Sequence, residues 1–210
     1  MVRARWVRTR ADADTATDAV DPRIERTRLV VRQAALDELG DIGYGAFTIE
    51  SVAARAGVAK STIYRHWPDK LALIADAFET SHEQMVPHIE TAVARERVTI
   101  LIRHVAEVLV DSTFSRCIPA LIEGAARDSR LRKFLDRYSA ERRRSLTAAI
   151  EEGVASGEFR EDIDADLAAQ ALLGTIFYRR LVSEQPLEPT RADDLVATVL
   201  GPIRRRRRTR

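Results

Sequence analysis

Along most of this chain the apolar residues return every three or four positions, and nowhere do they alternate with polar ones for long enough to make a strand. The pattern predicts an all-α fold of about nine helices with no internal repeat. After Asp21-Pro22, an N-cap residue followed by proline at the first helical position, Ile24, Val31, Ala35, Leu39 and Ile42 fall on one face. Gly43-Tyr44-Gly45 breaks that helix. A short helix is expected from Thr48 and another from about Ala59. Trp67-Pro68 marks a boundary, because the residue before proline is disfavoured in α geometry. A fourth helix is expected from Pro68, with Leu71, Ile74, Ala75 and Phe78 on one side.

Beyond Pro87 the pattern predicts a helix near 96–111, a short or kinked element around Pro119, and a long amphipathic helix over 129–155 closed by Ser156-Gly157. The segment 165–183 is apolar around most of its circumference, through Leu167, Leu172, Leu173, Ile176, Phe177, Leu181 and Val182. A helix of that kind is expected to be buried on every side. Pro186 ends it, and Thr190 with Asp193 forms a capping-box-like start to a last helix carrying Leu195, Val196, Val199 and Leu200.

Composition changes this picture little: 45% hydrophobic and 31% charged residues in 210 are ordinary for a globular protein. No apolar run is long enough for a transmembrane helix, and the basic opening MVRARWVRTR has no apolar stretch behind it, so no secretory signal is expected. The single cysteine, Cys117, leaves no intrachain disulfide. A cytoplasmic protein without a membrane partner is the expectation.

Charge matters more through its distribution than its total. Residues 1–10 carry +4, 11–21 carry −4, 22–75 carry +2, 76–203 carry −6 and 204–210 carry +6. Nucleic-acid contacts are therefore expected near the N-terminus or in the tail. The organisation read from this is a disordered arm (1–20), a helix-turn-helix domain (21–67), a larger helical domain (68–203) and a basic tail (204–210). The arm either enters a minor groove or is a solvated tail, with Asp12, Asp14, Asp18 and Asp21 weighing against the groove. The arginine tail reads as disordered, adding at most salt-dependent attraction to DNA.

The informative stretch is Thr48 to Lys70, TIESVAARAGVAKSTIYRHWPDK. Two short helices cross closely only with a small residue at the crossing, a residue tolerating positive φ at the turn, and an apolar anchor on the second helix. Ala53, Gly57 and Ile63 supply these, with Val52 and Val58 completing a small core. The second helix then exposes Lys60, Ser61, Thr62, Tyr64, Arg65 and His66, which are partners for phosphates and base edges. A merely solvated face usually alternates acids with bases, and no acid occurs between residues 51 and 68.

From Gly43 to Phe78 the sequence GYGAFTIESVAARAGVAKSTIYRHWPDKLALIADAF closely resembles the DNA-binding domain of the tetracycline-repressor (TetR) family of bacterial transcriptional regulators; the match begins at about Arg28. The segment GTIFYRRLVSEQPLEPTRADDLVATVL resembles the end of that family's C-terminal domain. The resemblance implies a homodimer, three N-terminal helices holding a reading head, and a C-terminal domain for ligand binding and dimerisation. It implies that Thr48 caps the first helix of the motif and touches a phosphate, and that Lys60 lies near phosphate or base. Ser61, Thr62 and Arg65 would face the major groove, Tyr64 and His66 the backbone phosphates, and Lys70 a further phosphate. Ala59 departs from the family, which often has a small polar cap there, at a cost of about 1 kcal/mol.

Elsewhere the expectations are less specific. His104 shares a face with Leu101, Val105 and Val108, so it is either a hydrogen-bonded core residue or a pocket residue. The same alternatives hold for Tyr138 and Cys117, while Phe177 reads as core, interface or pocket. A ligand pocket is expected between 96–155 and 165–183 with His104, Cys117, Tyr138 and Phe177 as lining. The dimer interface is expected at Leu172, Ile176, Leu195 and Val199. No nucleophile elbow, phosphate loop or metal-spaced cluster is present, so no catalysis, metal or cofactor is expected. The function this suggests is a repressor released from a palindromic double-stranded DNA operator by a small-molecule inducer. The alternative is an architectural DNA-binding protein whose interior is filled by its own side chains.

Overall fold

Helix boundaries in this chain follow its capping side chains. A computed structural model describes residues 22–83, 89, 91–110 and 112–202, so the expectations for the arm, the Asp21 cap, Pro87 and the arginine tail lie outside the described residues. Among those described there are nine α-helices and one short 3₁₀ turn, with no strand. They are α1 (Pro22–Ala46), α2 (Ile49–Ala56), α3 (Lys60–His66), α4 (Lys70–Glu83), α5 (Ala94–Val110), α6 (Thr113–Ala125), α7 (Ser129–Ala155), α8 (Ala165–Leu181), the turn Pro189–Arg191, and α9 (Ala192–Leu200).

Thr48, Ser112, Asp128 and Asp164 each accept a backbone N–H with their side chains at the start of α2, α6, α7 and α8, which satisfies donors that a helix leaves unpaired. The fourth helix starts at Lys70 rather than Pro68, because the Asp69 side chain accepts the Ala72 N–H at 2.9 Å. Pro119 lies inside α6, which is a short helix of 13 residues. The break expected at 43–45 narrows to Gly43 (φ 77°, ψ 167°), after which one more helical turn follows to Ala46. The capping box expected at Thr190 and Asp193 does not form: a 3₁₀ turn runs straight into α9, whose cap position is Arg191 without a side-chain bond.

Two cores result. The first joins α1–α4 to Cys117, Leu121 and Ala125 of α6 and to Leu131 and Phe134 of α7, so it does not stop at the end of the helix-turn-helix. The second joins α5, the later part of α7, α8 and α9. Helix α1 packs most extensively on α6. Its buried stripe begins at Val31; Ile24 and Ile42, expected on that face, are exposed, Ile42 although Leu39 and Tyr44 on either side of it are buried.

Helix α8 departs from expectation in the opposite sense. Leu172 and Ile176 are 0% and 1% exposed, but Leu167, Tyr178 and Val182 are 64%, 60% and 66% exposed. One chain covers only one face of this helix. Of the expected dimer residues, Leu172, Ile176 and Leu195 are buried in the chain's own second core, and Val199 is half-buried against it.

Candidate nucleic-acid interface and inner cavity

The reading head is a short lever held firmly at its base. Thr48 and Ser51 bond reciprocally, Ser51 N–H to Thr48 Oγ1 at 3.0 Å and Thr48 N–H to Ser51 Oγ at 3.3 Å. Gly57 adopts the left-handed conformation (φ 67°, ψ 32°) that ends α2, with the Val58 N–H returning to the Ala53 carbonyl at 3.1 Å. A Cβ at Gly57 would strain that conformation. Val52, Ala53 and Ile63 are buried at the crossing. Ala59 leaves α3 without a side-chain cap, as its methyl requires.

Lys60, Ser61, Tyr64 and Arg65 are exposed, and Thr62 and His66 half-buried; Thr48 is exposed at the neighbouring helix start. These residues therefore form one solvent-facing ridge. Lys60 Nζ is not wholly free, since it lies 3.0 Å from Glu50 Oε1. The hydrogen bond from Lys60 holds the Glu50 carboxyl below the usual carboxylate range. Both partners are solvated, so a phosphate competes readily for the lysine.

Behind α3 sits a buried polar knot. Trp67 Nε1 donates to Asp76 Oδ2 at 2.7 Å, and Arg32 Nε donates to the same oxygen at 2.8 Å. Arg32 also reaches Glu25 at 3.0 Å. Burial alone would push the Asp76 carboxyl up, but the hydrogen bonds from Arg32 and Trp67 and the charges of Arg32 and Arg28 outweigh it and hold the group below its ordinary value. The end of α3 is thus fastened to α1 and α4 together.

A second fastening surrounds Tyr44. Its hydroxyl donates to Asp128 Oδ2 at 2.6 Å, while its carbonyl accepts from Lys70 Nζ at 3.2 Å. Lys70 also lies over the ring, 4.1 Å from its centroid. Burial and then the Asp128 carboxylate push the Tyr44 hydroxyl well above its ordinary value, so it stays a donor. Beside it Arg130 reaches Asp69 at 2.7 Å. The ring packs on Gly124, where a Cβ would come within 2.6 Å of it. Lys70, expected to anchor phosphate, is held in place by this contact with α1. Tyr44, Asp76, Asp128 and Arg130 carry no sequence signal of their roles, since each acts through a residue far away in the chain.

Between α4 and α8 lies a cavity of about 420 Å³ lined by Phe78, Leu101, Ile102, Phe114, Leu173 and others. It brings together His104, Tyr138 and Phe177. Cys117 is not among its walls: it is fully buried in the first core, where its thiol donates to the Leu36 carbonyl at 3.1 Å and burial pushes it up to about 12. The reason is helical phase, since Ile118 and Ile122, one position further round α6 than Cys117 and Leu121, face the cavity. Burial lowers the His104 imidazole below its ordinary value, with the Glu107 charge opposing. Phe78, Phe114, Phe134 and Tyr138 pack ring on ring, with centroids 5.0 Å apart for Phe78–Phe114 and 5.6 Å for Phe134–Tyr138. The cavity wall and the first core share Phe78, Phe114 and Tyr138. Among the described residues no cluster of metal-ligating side chains occurs, and no helix is long and apolar enough to cross a membrane.

Residues 31–77 match the model of the bacterial regulatory proteins of the tetR family, and residues 88–199 match that of the tetracyclin repressor-like C-terminal domain. The chain is 31% identical to the HTH-type transcriptional regulator YdeS of Bacillus subtilis over 83% of its own length and 88% of the relative's. It is 27% identical to the fatty acid metabolism regulator protein of the same organism, over 68% of this chain and 76% of that one. A crystal structure of a TetR-family regulator from Rhodococcus sp. superposes with a TM-score of 0.69 at 21% identity, covering 83% of this chain and 97% of the other.

Proposed function

We propose, from the premise that this chain belongs to the TetR family of DNA-binding transcriptional regulators, that it is a homodimeric repressor released from its operator by a small molecule. The observation that carries this reading is the continuity between the reading head and a hollow interior. Phe78 belongs to the first core and also lines the cavity, and α7 supplies both the cavity wall and the Asp128 that holds Tyr44. The cavity favours a ligand-regulated protein over an architectural one, whose interior its own side chains would fill.

In this reading Ser61, Thr62 and Arg65 meet base edges in the major groove. Thr48, Lys60, Tyr64, His66 and Lys70 meet phosphates. The exposed apolar side of α8, at Leu167, Tyr178 and Val182, packs on its counterpart in a second copy. A two-fold dimer then requires a roughly palindromic operator in the cytoplasm of its bacterium. Ligand binding acts only through its preference between two arrangements of the dimer, and the Tyr44 contact passes that preference to α2–α3. One relative is named for control of fatty acid metabolism, which agrees with a lipid-like ligand.

The test is an anisotropy titration against the DNA flanking its own gene, with a scrambled duplex as competitor and with Arg65→Ala and Tyr64→Phe beside the wild type. Tight binding that survives the competitor and weakens in both variants supports the reading head. Equal affinity for the scrambled duplex, unchanged in both variants, transfers binding to the arginine-rich ends and removes the specific-repressor reading.

A further inference from the structure

Polarity is unevenly spread around the cavity. Residues of α4, α6 and α8 give it apolar walls, whereas its polar groups are Tyr138, Ser139, Arg142 and Ser145, all on α7, and His104 on α5. Ser139 and Ser145 are exposed and Arg142 half-buried, so the polar side is also the open side. A ligand complementary to such a space has a long apolar body and one polar end.

The sign of that end follows from the charges. Among the described residues, Arg142 is the one formally charged residue lining the cavity, and no carboxylate lines it. Glu79 and Glu107 are felt at Tyr138 and His104 but are not part of the wall. The neighbouring Arg143 and Arg144 are paired with Asp166 and Glu141, each at 2.8 Å. Arg142 has no salt bridge among the described residues; its guanidinium lies 4.8 Å from the centroid of the Tyr138 ring and hydrogen-bonds the Tyr138 side chain, while its Nε is buried without a hydrogen-bond partner. Stacking of this kind fixes the plane of the guanidinium while leaving N–H donors for a planar acceptor. A carboxylate meets such a fork with two parallel hydrogen bonds. A cationic head is repelled, and a hydroxyl satisfies fewer donors.

We propose that the cavity binds a free aliphatic carboxylate, its chain among the apolar walls and its head group on Arg142. The proposal rests on the reading of the cavity as a regulatory ligand site and adds the chemical class of the ligand. A coenzyme thioester of the same acid has no carboxylate at the end of its chain and leaves the Arg142 donors unmet there.

The experiment uses the full chain and four probes with one alkyl chain: dodecanoate, dodecanol, dodecylamine and dodecanoyl-CoA. Affinity is read by displacement of a fluorescent apolar dye, for wild type, Arg142→Gln and Arg142→Lys, with circular dichroism and operator binding without probe as checks on folding. For wild type we expect dodecanoate to bind about tenfold or more tighter than dodecanol, and the amine to bind weakest. Arg142→Gln brings acid and alcohol to similar affinities by weakening the acid alone, and Arg142→Lys keeps part of the preference. Equal binding of acid and alcohol to wild type overturns the carboxylate inference while leaving the ligand site intact, as does tighter binding of the thioester or an acid preference that survives Arg142→Gln. If no probe binds and none releases DNA, the ligand-site reading itself falls. The wild-type comparison decides between these even if a variant fails to fold.

Discussion

Ile63 and Ile102 are both fully buried isoleucines, yet they stand in different surroundings. Ile63 is closed in by α2 and α3 beneath the reading head, within a core that also carries the Arg32–Asp76–Trp67 knot. Ile102 has packed neighbours on one side and the cavity on the other. The reading head is filled and cross-tied because seven residues of α3 cannot hold their own orientation; a helix that short is unstable without tertiary support. The α5–α9 body is left hollow, and a void whose walls can move is what a ligand acts upon.

The largest expected effect separates these two environments. Ile63→Ala should cost about 4 kcal/mol in urea unfolding and Ile102→Ala about 2, since a side chain already facing a void loses fewer contacts. Equal costs break the comparison. Asp76→Asn comes next, at roughly 3 kcal/mol, because it leaves the buried Arg32 guanidinium without its carboxylate. The same variant has a pH signature. Asp76 is held below its ordinary value when folded, so its contribution is present above about pH 4 and is lost as the pH falls through the lower, folded value. The wild type should therefore lose stability on acidification below about pH 4, and Asp76→Asn should lose less, with Asp69 and Asp128 keeping the remainder.

Gly124→Ala forces a methyl group against the Tyr44 ring and Leu131. It should cost about 2 kcal/mol and weaken operator binding together with stability, because Lys70 is seated on the same ring. Tyr44→Phe removes only the hydrogen bond to Asp128, about 1 kcal/mol. Operator binding should persist while release by the ligand is blunted; release at the wild-type ligand concentration removes Tyr44 from the coupling. Lys60→Ala should leave the unfolding midpoint where it is and reduce the salt slope of operator binding by about one. An unchanged slope means that Lys60 stays with Glu50 on DNA.

Much of this arrangement is legible in the residues. The α2–α3 motif reads correctly because its determinants are local: Thr48 caps the helix it begins, Gly57 ends the same helix, and Ala53 and Ile63 lie ten residues apart. The C-terminal limit of α7 is legible for the same reason, Gly157 lying just beyond it. Periodicity alone overstates burial in α1 and α8, where an apolar position is buried only if another element reaches it. His104, Tyr138 and Phe177 are recognisable as inward-facing, but Cys117 shows that inward has two directions when a helix such as α6 lies between two cores.

The sequence by itself determined the helices, the Thr48 cap, the exposed polar ridge of α3 and membership in the family, because each depends on residues within a few turns of one another. Only the tertiary structure decided that Trp67, Asp76 and Arg32 share one knot, that Tyr44 joins Lys70 to Asp128, and that Arg142 stands against Tyr138 at the edge of an apolar cavity, without a carboxylate partner among the described residues, while Arg143 and Arg144 are paired outside it. Those facts depend on which distant helix surfaces meet and at what rotation, and no local pattern carries that information.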